Sequence, residues 1–289
     1  MQTNELLQKI KLIEIKTRGL TRHVFSGEYH SSFKGRGMAF SEVREYQVGD
    51  EVRTIDWNVT ARFNTPFVKV FEEERELTVM LLIDISGSGN FGTHEKTKKD
   101  LALEITAVLA FSAIANNDKV GAIFISDQVE KFIAPAKGKK HALLILRELI
   151  EFQPKSQGTN LNEGLRFFRN ALKKRSIAFV ISDFMDTNPY TEGLSISRRK
   201  HDLIALRLVD PAEYDLPNLG MVELFNAETG QKTWVNSSSE STRQNYRSNY
   251  ADFEKQVTEN FRRHGIDHAT LDTVSDYIPK LVQLFQSRK

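Results

Sequence analysis

LTVMLLIDISGSGNFG, residues Leu77 to Gly92, carries seven apolar or β-branched residues into an aspartate and then sets serines two and four positions beyond it. The continuous apolar run from Val79 to Ile85 is the pattern of a strand buried on both faces, as in a parallel sheet. Asp84, Ser86 and Ser88 then bring polar groups out of the core at the strand's carboxyl end. Glycines at 87 and 89 let the backbone turn tightly enough for alternate side chains to converge there.

Downstream, strand and helix patterns alternate. A helix is expected over Thr93 to Asn117, strands over Lys119 to Ile125 and Val129 to Ala134 about a turn at Ser126 and Asp127, and a helix over His141 to Phe152. Another helix, Leu161 to Lys173, opens at Thr159 and Asn160, and apolar strands follow at Ser176 to Ser182 and His201 to Val209. Met221 to Phe225 and Lys232 to Val235 flank AETG as a hairpin. A helix from Ser241 to His264 stops at Gly265, His268 to Asp272 reads as a last strand, and Ser275 as the cap of a final helix. This alternation predicts an α/β fold, a doubly wound and mostly parallel sheet with helices on both faces.

Upstream the pattern differs. A helical spacing runs from Asn4 to Thr17, and Phe33 to Glu76 breaks into short alternating pieces with turns at Gly35, Gly37 and Val48 to Asp50. We read residues 1–75 as an N-terminal helix with a β-rich appendage and 76–289 as the α/β domain, with an inserted hairpin near 221–235. Arg36, Arg44, Arg53 and Arg62 read as salt-bridged packing between appendage and core.

A formal net charge of +2 in 289 residues gives no long-range field for nucleic acid or an anionic membrane. The basic clusters Lys137–Lys140 and Lys173–Arg175 fall at expected helix ends. Trp57 and Trp234 read as buried anchors. There is no cysteine, no signal-peptide pattern at the start and no membrane-length apolar stretch, so the expectation is a cytoplasmic protein without a membrane span.

In an open parallel sheet the carboxyl ends of the strands form the crevice where ligands bind. Three polar groups are expected to meet there: Asp84, Ser86 and Ser88 at one strand end; Thr159 in a Gly-Thr-Asn turn before a helix; and Asp183 after the apolar strand. Aspartate and serine are ordinary turn and cap residues, and Thr159 alone reads equally as a helix cap. Taken together the five form an all-oxygen set, which suits Mg²⁺, or Mn²⁺, better than Zn²⁺.

D-x-S-x-S after an apolar strand, a later threonine at a helix start and a later aspartate after another apolar strand resemble the metal-ion-dependent adhesion site of von Willebrand factor A domains, a Rossmann-like fold. That resemblance implies Asp84, Ser86, Ser88, Thr159 and Asp183 as metal residues, with a partner's acidic side chain completing the shell. The segment from Gly35 to Arg62, then PFVKVFEEERELTVMLLIDIS, and the later VDPAEYDLPNLG and AETG, are similar to the bacterial domain of unknown function 58 family, over nearly the whole chain. Membership implies a non-enzymatic adaptor or chaperone partner of a MoxR-type AAA+ ATPase or its client. The departure is Gly89-Asn90, where many A domains place methionine after the second serine.

The competing class is a Mg²⁺-dependent phosphohydrolase with Asp84 as nucleophile. That chemistry wants a second carboxylate two residues on, as general acid and base, and the position holds Ser86. Nor does the chain contain a phosphate-cradling G-x-x-x-x-G-K-[ST] or a G-x-S-x-G elbow.

Overall fold

A computed structural model of the chain describes residues 38–63, 65–73, 77–93 and 96–288. The helix expected at residues 4–17 and Arg36 lie outside them. Described residues up to Glu73 belong to one compact unit and those from Leu77 onward to another.

In the smaller unit β1 (Met38–Glu45) and β2 (Phe67–Glu73) pair antiparallel, with a bulge between Phe40 and Glu42. A short helix, α1 (Trp57–Phe63), interrupts what the sequence reads as extended pieces. It forms because Asp56 Oδ1 accepts the amides of Asn58 and Val59 at 3.0 and 3.2 Å, satisfying donors that a helix start leaves free. Arg44 forks onto Asp50 at 2.7 Å through each nitrogen, so it ties down the turn of its own unit. Trp57 is 67% exposed, not a buried anchor.

The larger unit runs β3 (Thr78–Asp84), α2 (Lys98–Ala115), β4 (Lys119–Ile125), β5 (Val129–Ala136), α3 (Lys139–Glu151), α4 (Leu161–Ala171), β6 (Ile177–Ser182), α5 (Thr191–Lys200) and β7 (Asp202–Val209). The hairpin β8 (Met221–Phe225) and β9 (Lys232–Asn236), α6 (Glu240–Arg263), β10 (Asp267–Asp272) and α7 (Ile278–Gln286) complete it. Six strands form one sheet in the order β10-β7-β6-β3-β4-β5, parallel throughout except for β5, which returns antiparallel beside β4. The expected doubly wound α/β fold is therefore the observed one.

Strand β3 sits in the middle of this sheet and is buried from Val79 through Ile83. Its alternate residues face opposite ways. Met80 and Leu82 join Leu161, Leu165, Phe168, Leu194 and Phe261 in the core under α4, α5 and α6. On the other face α2 packs along β3, β4 and β7, and the Phe179 ring of β6 meets Phe285 of α7. Each such buried side chain contributes about 1.5–3 kcal/mol.

Several boundaries differ from expectation for local reasons. Helix α2 starts at Lys98, not Thr93, because Thr97 and Asp100 cap each other's backbone amides. Helix α5, unexpected from its polar sequence, is the crossover that parallel strands β6 and β7 require. Helix α7 begins at Ile278, with Tyr277 rather than Ser275 at its cap position and Pro279 in its first turn. Lys139 and Lys140 open α3, so the Lys137–Lys140 cluster lies at the helix end where the dipole disfavours cations. Trp234 is 64% exposed on β9.

Two predictions follow from the packing. A Cβ on Gly121 would lie 2.8 Å from both the Ile133 carbonyl oxygen and Met80 Sδ, so Gly121→Ala should lose about 1–3 kcal/mol, read as a lower urea midpoint. His201 is buried, with Nδ1 2.9 Å from Ser176 Oγ; burial, then the charges of Lys200, Arg169 and Arg175, push its pKa down to about 4. Between that value and the unfolded ~6.5 the unfolded chain binds the extra proton, so stability falls as pH drops through this window. His201→Gln should flatten that slope in urea titrations from pH 7 to pH 4.

Candidate functional site

The strand order reverses between β3 and β6: β4 and β5 continue to one side, β7 and β10 to the other. Such a switch point opens a crevice at the carboxyl ends of the two strands, and Asp84 and Asp183 stand at those two ends. The register that pairs Ile83 with Ile181 sets Asp84 beside Ser182, whose hydroxyl donates to Asp84 Oδ2 at 2.6 Å.

Past Asp84 the chain folds back at once. Asp84 Oδ1 accepts the Ser86 amide at 3.0 Å, and Gly87 to Asn90 form a single 3-10 turn. This places Ser86 Oγ 3.1 Å from Ser88 Oγ. Past Asp183, Phe184 takes a left-handed φ of 60°, a conformation that costs a bulky residue about 1–2 kcal/mol. It brings the Met185 amide back onto Asp183 Oδ1 at 3.0 Å. Thr159 is buried; its carbonyl accepts from Asn188 at 2.9 Å, and the amide of the next residue donates to the Ser126 carbonyl at 2.8 Å. Hydrogen bonds thus link Asp84 to Ser86 and Ser86 to Ser88, and Asp183 follows the Ser182 that bonds Asp84, whereas Thr159 stands on the loop between α3 and α4 and turns its hydroxyl to Glu228.

Four further residues belong to the site. Ser182 has been described. Lys98, 2% exposed at the first position of α2, donates to Asp183 Oδ2 at 2.6 Å and to Glu213 Oε1 at 2.7 Å. A cation in the first turn of a helix opposes the dipole and a buried one loses its hydration, so these two carboxylates, with the Phe91 ring 5.9 Å from the ammonium, hold it there. The fourth, Glu228, stands on the β8–β9 turn and accepts the Thr159 hydroxyl at 2.7 Å. Ser182 adjoins Asp183 and could have been read from the strand end. Glu213 and Glu228 lie in the stretches VDPAEYDLPNLG and AETG, already singled out for other reasons, whereas nothing in Thr97-Lys98-Lys99-Asp100 marks Lys98 as a site residue.

The electrostatics are asymmetric. Burial, then the neighbouring Asp183 charge, push the Asp84 carboxyl above the usual carboxylate range, against the Ser182 and Ser86 hydrogen bonds. Burial acts on Asp183 in the same sense, but Lys98, the Met185 amide and Ser88 outweigh it and hold that carboxyl low. Lys98 is likewise desolvated, and its two carboxylates still keep its pKa above the usual value. Burial raises Glu228, with Asp183 and Asp186 adding to the effect.

Oxygen donors are the kind a hard divalent cation takes, while among the described residues no three His, Cys, Asp or Glu side chains come together as a group that could hold one. Every donor is oxygen, and carboxylates outnumber the Lys98 ammonium that pairs with them. The separation of Ser86 and Ser88 hydroxyls matches adjacent ligands of an octahedral ion, which ~2.1 Å bonds place roughly 3 Å apart. Asp84, Ser88, Lys98, Ser182 and Asp183 line a cavity of about 20 Å³, room for about one water-sized sphere.

The sheet defines a class by fold: doubly wound α/β proteins, whose strand ends open a crevice at the switch point. Within it, this chain belongs to the family described as Protein of unknown function DUF58, whose family model matches residues 42–256. It is similar to the uncharacterized protein Rv1480 of Mycobacterium tuberculosis, 27% identical over 99% of this chain and 90% of that one. The uncharacterized protein YeaD of Bacillus subtilis is 31% identical over 42% of this chain and 27% of its own length. Among solved structures, an aerotolerance-related membrane protein from Bacteroides fragilis shares the fold, with a TM-score of 0.50 at 15% identity over 73% of this chain and 99% of that one. Among the described residues no helix is long and apolar enough to cross a membrane.

Lys98 offers a direct test of the charge balance. Lys98→Met would leave Asp183 and Glu213 buried without their cation, and we expect a loss of about 3–5 kcal/mol in urea unfolding. Lys99→Met, one residue on, should stay within about 0.5 kcal/mol of the parent.

Proposed function

We propose that the larger unit is a non-enzymatic, metal-dependent protein-interaction module, in which Asp84, Ser86, Ser88, Thr159 and Asp183 hold Mg²⁺, or Mn²⁺, and an acidic side chain of a partner is the ligand recognised. The observation that carries this reading is Asp84: a part-buried carboxylate beside a second carboxylate, hydrogen-bonded by Ser182 and Ser86 only through neutral donors. Buried charge of that kind calls for a cation. A bound divalent ion would supply that charge and accept a carboxylate oxygen from outside.

The chain's own residues perform the remaining work. Ser86 and Ser88 offer neutral oxygens, so the site does not become too anionic to admit another carboxylate. Lys98 holds Asp183 ionised and fixed in orientation. A hydrolase reading finds less support, because Ser86 stands where the acid and base of phosphoryl transfer would be needed.

For the partner we propose a MoxR-type AAA+ ATPase or a client that it delivers, with this chain as adaptor. One metal-bridged carboxylate is directional but small, so the surrounding rim must add area. The β8–β9 hairpin, whose turn touches Gly87 and Thr159, is available for that.

Mn²⁺ titration followed by electron paramagnetic resonance tests the site. Ser86→Ala and Asp84→Asn should each weaken binding at least about tenfold while thermal unfolding changes little, since asparagine keeps an acceptor for the Ser86 amide. Calorimetric titration of the nucleotide-free ATPase should show association in Mg²⁺ and none in excess chelator. Equal affinity in both would overturn the bridging reading.

A further inference from the structure

The hairpin β8–β9 is a sheet of its own, and its hydrogen-bond pattern can be read from both ends. Beside the turn the Asn226 amide donates to the Gln231 carbonyl at 2.9 Å, and at the open end the Ser237 amide donates to the Gly220 carbonyl at 2.7 Å. Antiparallel pairs alternate between bonded and non-bonded, so counting inward from either contact makes Val222–Val235 and Leu224–Thr233 the bonded pairs. Lys232, Trp234 and Asn236 therefore turn their backbone groups away from β8, and Met221, Glu223 and Phe225 turn theirs away from β9. Among the described residues no strand pairs with either outer edge.

Both edges lack the features that keep an edge strand from pairing. In the large sheet the outer strand β5 carries Pro135 and register shifts, and β10, the other outer strand, begins and ends with aspartate. Strands β8 and β9 have no proline and an unbroken register, and their charges, Glu223 and Lys232, are bonded to each other at 2.9 Å. The same edge residues form an exposed apolar face. Trp234, opposite Glu223 and diagonal to Met221 and Phe225, is 64% exposed, and those two are 59% and 60% exposed. Large exposed apolar side chains on a ribbon with free backbone groups mark a pairing surface.

Charge decides which edge pairs, and with what. Two copies of β9 laid antiparallel about Trp234 set Trp234 opposite Trp234, Lys232 opposite Asn236 and Thr233 opposite Val235, so no like charges meet. Two copies of β8 laid about their central residue would set Glu223 against Glu223, which is destabilising. The β9 register also gives its outward amides and carbonyls partners and places the two indoles side by side on the exposed face.

We infer that β9 is a self-pairing edge: a second copy of this chain adds its own β9 antiparallel, across a two-fold axis at Trp234, to make one sheet through both hairpins and a reversible dimer. The 5 residues of β9 are fewer than the roughly 20–30 a side of a standard interface, so the dimer dissociates at low micromolar concentration. The turn from Asn226 to Gly230 takes no part in the pairing and stays on the Ser86 loop, so the dimer carries two crevices. The inference is independent of the cation reading.

Sedimentation equilibrium of the full chain in chelator should show monomer at about 1 µM passing to dimer by about 500 µM. Trp234→Lys sets like charges across the axis while facing Glu223 within its own hairpin, and should raise the dissociation constant at least about tenfold with thermal unfolding unchanged. Met221→Lys, on the same exposed face but on the far strand, should leave the constant within about twofold. A chain that stays monomeric throughout would leave the edge to a strand of another protein and overturn the inference, as would a dimer indifferent to Trp234→Lys. A dimer lost equally in both variants would mean that the hairpins pack face to face, and would overturn the strand pairing as well.

Discussion

Where β3 leaves the sheet, the strands to one side continue through β4 and the strands to the other through β6, and the chain cannot cover both with the same helix. That constraint opens the crevice and decides which residues line it. Asp84 ends one bordering strand and Ser182-Asp183 the other, and pairing in register sets them side by side. The buried run Val79–Ile83 serves the site indirectly: interdigitated on both faces, it fixes the height at which the polar residues emerge.

Bringing two carboxylates together in a desolvated crevice is unfavourable, and the structure meets half of the problem with its own cation. Lys98 neutralises Asp183 and is held against its helix dipole by Glu213, whose other oxygen accepts the Asp210 amide at 2.9 Å. Asp210 in turn accepts the hydroxyls of Thr93 and Thr273 at 2.7 Å, linking the start of α2, the end of β7 and the loop after β10. The network leaves Asp84 with neutral donors, and the site's charge therefore divides into a settled side and an unsettled one. The cation reading concerns the unsettled side.

The hairpin relates site to surface. Its outer residues Met221, Phe225 and Trp234 are exposed, while its turn touches Gly87 and Thr159. Anything that grips those exposed side chains acts on the same rigid two-stranded element that carries Glu228.

The sequence by itself determined the sheet and most of its flanking helices, and it marked Asp84 and Asp183 as polar residues at strand ends, because a strand buried on both faces has an unmistakable apolar run and the polar residue that ends it must lie at its edge. Capping and crossover helices were less legible: α1 depends on one aspartate side chain, and α5 is too polar to show a clear stripe. Both tryptophans were misread as anchors, since residue type alone does not say whether a neighbour exists to cover it. What only the tertiary structure decided is which distant charges share the crevice. Lys98, Glu213 and Glu228 are separated by 115 and 69 positions from the residues they bond, Glu213 from Lys98 and Glu228 from Thr159. Local periodicity carries no information across such spans, and electrostatic pairing depends on distance in space, which the winding of the chain alone supplies.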